Sequence, residues 1–198
     1  MAHQLFQFLS WLFARYGYGA VFFGVMLENA GFPLPGETVL LFGGLLSHRG
    51  VLSLKWVILS AATGATVGGG IGYAAGYRWG TALVRRISKS ALVPERRYDQ
   101  SVQTVTKYGV WAVFLSRFVL GLRMLAGLLA GAFHMSWTGF MLANATGACA
   151  WALAMGSVGY ALGSNWRRLL HFTRTLDWIA VAAVVLILLA LATRKRRR

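Results

Sequence analysis

Carboxylates are scarce in this chain. Its 198 residues hold 5 Asp and Glu against 20 Lys and Arg, for a formal charge of +15. No His-x-x-Glu-His run, paired-histidine phosphatase pattern or other metal-ligand cluster is built from those acids and the 4 histidines. Cysteine occurs once, at Cys149, which excludes an intrachain disulfide framework; between Ala148 and Ala150 it reads as an inert packing residue. Proline occurs three times, and two of these, Pro33 and Pro35, stand inside an apolar stretch. Charge of either sign is missing altogether from Met124 to Trp166. That run is about twice the roughly 20 residues a helix needs to cross a bilayer.

What is abundant is apolar mass. The chain is 57% hydrophobic with a mean hydropathy of +0.58, more than a soluble domain of this size usually carries. The expectation is an all-α integral membrane protein forming one membrane domain. The arginines flank apolar runs instead of forming a basic face, so anionic lipid headgroups are the expected partners and nucleic acid is not. Nothing in the residues asks for a cofactor or a metal.

The apolar pattern divides the chain. Residues 1–17 read as an interfacial segment, too short to span, with Trp11 and Arg15 at headgroup level. Its start lacks the basic region and cleavage site of a removed signal peptide. Residues 18–80 hold an apolar stretch interrupted by "GFPLPGE" and then an uncharged span over 56–77. Glycines at 64, 68, 72 and 76 of that span, and at 80 just past it, form a stripe that admits a close neighbour. A basic linker follows at 81–107. Residues 108–166 hold a second interrupted stretch, carrying Arg117 and Arg123, and an uncharged span over 137–163. A last span lies within 175–193 and a basic tail at 194–198.

The two halves resemble each other. "GYAAGYRW" at 72–79 matches "GYALGSNW" at 159–166 at an offset of 87, and the same offset carries Gly44 onto Gly131. Each half is therefore one charged, interrupted segment followed by one glycine-rich span. The basic linker and the basic tail both belong in the cytoplasm by the positive-inside rule. Three full crossings between them would violate that, so one segment must turn back. Residues 110–135 are the choice, because each arginine costs about 2.5–3.5 kcal/mol at the centre of a lipid-facing helix. By the same logic 20–47 is a hairpin dipping in from the outside, and the halves form inverted repeats.

The charged residues of these segments are the candidate site. Pro33 and Pro35 push their preceding residues out of the helical region and remove two amide donors, and Gly31 and Gly36 permit the turn. Glu28 and Glu37 flank that turn. In the second half "SRFVLGLR" places Arg117 and Arg123 around Gly121, the expected tip of the second turn. Two carboxylates and two guanidiniums would balance in one core. They either fix the hairpins as buried salt bridges, or the arginines hold an anionic phosphate while the carboxylates take up protons. Arg117, on the entering arm, is expected to pair with a carboxylate at rest. Glu37, which closes the proline turn, is expected to carry the coupling.

"ENAGFPLPGE" at 28–37 and "FLSRFVLGLR" at 114–123, with the Ala-Gly, Met, Phe, Gly and Trp positions after the latter, resemble the two signatures of the DedA family, bacterial relatives of the SNARE-associated (VTT) domain proteins. The resemblance covers roughly residues 18–166. It implies a multi-pass protein of the bacterial inner membrane, with two re-entrant hairpins in inverted repeats. It also implies transport of a lipid, most often recycling of undecaprenyl phosphate, driven by the proton motive force. The family's acidic positions fall on Glu28 and Glu37 and its arginines on Arg117 and Arg123. The family usually has proline where this chain has Leu120. Protons, or sodium, would be the coupling ion, and homo-oligomerisation stays open. The alternatives are a phospholipid scramblase and, from another class, an intramembrane lipid-phosphate enzyme.

Overall fold

The computed structural model describes residues 2–32, 34–80, 109–118 and 122–163. These form seven helices: α1 (Ala2–Tyr16), α2 (Tyr18–Asn29), α3 (Gly36–His48), α4 (Leu54–Ala75), α5 (109–116), α6 (Leu122–Ala132) and α7 (Trp137–Ala161). A five-residue π-helical turn, Gly76–Gly80, prolongs α4. There is no strand among the described residues. Pro33, Leu120 and Gly121, the linker at 81–107, the span within 175–193 and the tail at 194–198 lie outside them.

Two helices are long and apolar enough to cross a bilayer, Leu54–Gly80 with 27 residues and Trp137–Ala161 with 25. They coincide with the two uncharged spans expected from the sequence. The other core helices are too short. The 12 residues of α2, 13 of α3 and 11 of α6 reach only about 16–20 Å at 1.5 Å per residue, against a hydrocarbon core of about 30 Å.

The break between α2 and α3 follows from its residues. The chain leaves α2 through Gly31, whose φ of 108° is open only to glycine, with the Gly31 amide donating to the Glu28 carbonyl at 3.1 Å. Pro35 then sits at the N-cap of α3, where its missing amide donor costs nothing.

Helix ends gather at two levels. At one end of the bundle the Ser53 amide, just before α4, donates to the Tyr18 hydroxyl at the start of α2 at 2.9 Å. There too Gly163, past α7, packs on His48, the last residue of α3. At the other end Gly80 packs on Ala132 of α6, and Gly139 of α7 lies beside Val110 of α5. The α2–α3 pair thus starts and finishes at one end, and the α5–α6 pair at the opposite end. Exposed Trp56 marks the first level and exposed Trp79, Trp111 and Trp137 the second, as expected of aromatic side chains at membrane–water boundaries.

Glycines set the packing. Gly64 and Gly68 of α4 let the Phe22 and Met26 carbonyls of α2 approach so closely that a methyl group would not fit, and Gly76 does the same for the Leu128 carbonyl of α6. Contacts also recur between the halves. Gly131 of α6 rests on the Tyr73 carbonyl and Tyr77 amide of α4; Gly44 of α3 rests on the Gly156 carbonyl and Tyr160 amide of α7. Gly44 to Gly131, and Tyr73 to Tyr160, are both 87 positions apart. The inner arm of each pair packs on the long helix of the other half. Between them Phe42, Leu40, Leu41, Leu45, Val21 and Val57 form a fully buried core.

Candidate functional site

Four charged side chains meet inside this helical core. Glu28 is in the last turn of α2, Glu37 in the first turn of α3, Arg123 in the first turn of α6, and Arg117 one residue past α5. All four are buried, with relative exposures of 5%, 9%, 4% and 3%. With two carboxylates and two guanidiniums, the cluster is neutral overall when all are charged.

The charges are not shared evenly. Arg123 takes both carboxylates: its Nη2 lies 2.7 Å from Glu28 Oε1 and 3.4 Å from Glu37 Oε2. Its guanidinium carbon stands 4.8 Å from the centre of the buried Trp151 ring, a cation–π contact. Glu28 reaches this position because Gly36 has no side chain; a Cβ there would overlap Glu28 Oε2. Two atoms of the cluster have no hydrogen-bond partner, Glu28 Oε2 and Arg123 Nε. An unpartnered buried carboxylate oxygen is costly in this setting and is a place where a proton can reside.

Arg117 is held differently. The sequence led us to expect a carboxylate partner for it at rest. Instead its Nη1 donates to Asn29 Oδ1 at 3.0 Å, and its Nη2 to the Ala65 carbonyl at 3.1 Å and to Asn144 Oδ1. The reason is reach. Arg117 reaches the Asn29 amide at the end of α2, the Ala65 carbonyl of α4 and the Asn144 amide of α7, whereas Arg123 opens α6 against the α2–α3 turn. The pairing assigned to Arg117 therefore belongs to Arg123.

Sequence reasoning missed Asn29, Asn144 and Trp151. Asn29 Nδ2 also donates to the Val25 carbonyl at 2.8 Å, and Asn144 Nδ2 to the Thr66 carbonyl at 3.0 Å. Gly69 makes room for the Asn144 amide, and Gly147 for the Arg117 stem. The signal was available: Asn144 is an amide in an uncharged membrane-length run, and Asn29 stands beside Glu28.

A buried ion cluster within a helical core that holds two membrane-length helices fits a membrane protein. The VTT domain model matches residues 34–161, and the chain belongs to that family, the DedA family of membrane proteins. An uncharacterized membrane protein of Synechocystis is 41% identical over 179 residues, covering 89% of this chain and 82% of the relative. The inner membrane protein YohD of Escherichia coli is 32% identical over 195 residues, covering 96% and 94%. Undecaprenyl phosphate transporter A of Bacillus subtilis is 27% identical over 197 residues, covering 99% and 97%. No solved structure matches the chain significantly.

Proposed function

We propose that this protein is a carrier that moves a polyprenyl phosphate across the bacterial inner membrane and is coupled to the proton motive force. The observation that carries the reading is Arg123 held by Glu28 and Glu37, both inside the core. Buried cations suit a lipid phosphate; carboxylates on the same cation let protons govern its release. The short helix pairs, beginning and ending at opposite ends of the bundle, support re-entrant hairpins in an inverted repeat. On the positive-inside rule the α5–α6 pair then enters from the cytoplasm and the α2–α3 pair from outside. The name of the Bacillus subtilis relative supports the lipid class.

In this mechanism the phosphate enters the charged core while the polyprenyl tail stays in the bilayer. A proton settles on Glu28, whose Oε2 has no partner to lose. Neutral Glu28 weakens its hold on Arg123, and the guanidinium turns to the phosphate as a planar bidentate donor. Loss of the proton to the other side restores the ion pair and expels the lipid.

The test is movement of labelled polyprenyl phosphate beside labelled phosphatidylethanolamine in proteoliposomes under an imposed pH gradient. Selective, gradient-dependent movement of the phosphate is expected. Equal movement of both lipids would point to a scramblase, and release of inorganic phosphate to an enzyme.

A further inference from the structure

The two arginines differ in what surrounds them, and this assigns them different tasks. We infer that Asn29 and Asn144 are positioning residues that hold Arg117 as a buried cation without neutralising it, making Arg117 the group the lipid phosphate engages first. This deepens the carrier reading and rests on it.

The argument starts from the partners. Arg123 faces two carboxylates, one more negative charge than it carries. Arg117 faces two side-chain amides and a backbone carbonyl, all neutral. The acidic cluster as a whole balances, but locally the positive pole is at Arg117. An amide oxygen satisfies a guanidinium N–H as a carboxylate does, yet leaves the charge in place. Asn29 and Asn144 are 1% and 2% exposed, so these bonds are shielded from bulk water.

Competition decides the order of engagement. An incoming phosphate must displace the present partners. A carboxylate holds a guanidinium by the Coulomb attraction of two full charges as well as by hydrogen bonds, whereas an amide oxygen offers only its dipole. Two carboxylates on Arg123 therefore resist displacement, while amides on Arg117 yield to an anion. The amides are also anchored from behind, Asn29 to the Val25 carbonyl and Asn144 to the Thr66 carbonyl. Anchoring fixes their oxygens toward Arg117 and keeps a place for the guanidinium to return to. Arg123 joins the phosphate only after Glu28 is protonated.

The conservative variant separates this role from a structural one. In Asn144→Asp the new carboxylate keeps an acceptor on Arg117 but cancels its charge. Labelled polyprenyl phosphate binding and thermal stability are measured on the full-length protein in detergent, with inorganic phosphate as competitor. The expectation is a folded protein with an unfolding temperature somewhat below the parent's, because aspartate lacks the N–H that Asn144 donates to the Thr66 carbonyl, and an affinity lower by about tenfold to a hundredfold. Asn29→Asp should do the same from the α2 side. Inorganic phosphate that competes at equal concentration would show that the headgroup alone is read; failure to compete would show that the tail contributes. Parent-like affinity in a folded Asp variant would overturn the assignment. So would unfolding of both Asp variants, which would show that the fold depends on the amides themselves. If the parent binds no polyprenyl phosphate while folded, the carrier reading is what fails.

Discussion

At the residue scale, Gly36 offers a way to disturb the ion cluster without touching a charged group. A methyl group there would occupy the space of Glu28 Oε2, so Gly36→Ala should displace the carboxylate and lower stability by about 1–3 kcal/mol, the usual cost of overpacking. Thermal unfolding of Gly36→Ala, Glu28→Ala and the double variant would check this: the glycine substitution should cost much less once Glu28 has been truncated. Glu28→Gln keeps the shape and removes the titration. It should fold, lose about 1–3 kcal/mol, and transport without the parent's pH dependence, while Glu37→Gln should retain part of it, since Glu37 stands farther from Arg123. Unchanged pH dependence in Glu28→Gln would move the coupling to Glu37, the residue the proline turn first suggested. The four charged residues were legible from the sequence because charge is conspicuous in an apolar run. Their pairing was not: Arg117 and Arg123 are six apart on either side of Gly121, so helical periodicity does not fix which reaches the acids.

At the element scale, the stripe of glycines decides how near the helices lie. Gly68 faces the Met26 carbonyl, whereas Gly70 has only the tips of Trp137 and Met141 at 3.6–3.8 Å from where its Cβ would be. Gly68→Ala should therefore cost about 1–3 kcal/mol, and Gly70→Ala should be neutral or slightly stabilising, because alanine is the better helix former by about 1 kcal/mol. Unfolding temperatures of the two variants, side by side, test whether the stripe or merely glycine content matters. Element boundaries came through well where a strong signal existed. The two uncharged runs became α4 and α7, and the Gly-Pro-rich "GFPLPGE" separates α2 from α3. The π-helical turn at Gly76–Gly80 was hidden, because a stretch of glycine and aromatic residues carries no periodic mark of a widened turn. So was the exchange of partners, with α3 on α7 and α6 on α4, since a stripe of small residues says that a helix comes close but not which one.

For the whole molecule, the question is which ends face the same side of the membrane. The parity argument from basic segments and the end-to-end contacts of the helices are independent grounds for the proposed topology. Val110 and Ser136 belong to the level marked by Gly80 and Ala132, and Val51 to the level of Ser53 and His48; all three residues are exposed. Between the levels runs α4, whose 27 residues through Gly80 rise about 40 Å, enough to pass the hydrocarbon core. With Cys149 replaced by alanine, single cysteines at Val110 and Ser136 should react with a membrane-impermeant thiol reagent from the cytoplasmic side, and a cysteine at Val51 from the outside. Labelling of Val110 and Ser136 from opposite sides would mean that residues between them cross the bilayer fully. Arg117 and Arg123 would then lie on a crossing segment, the two helix pairs would no longer be related by inversion, and the alternating exposure of one central charge cluster would lose its structural basis. Labelling of all three from one side would instead refute the crossing by α4.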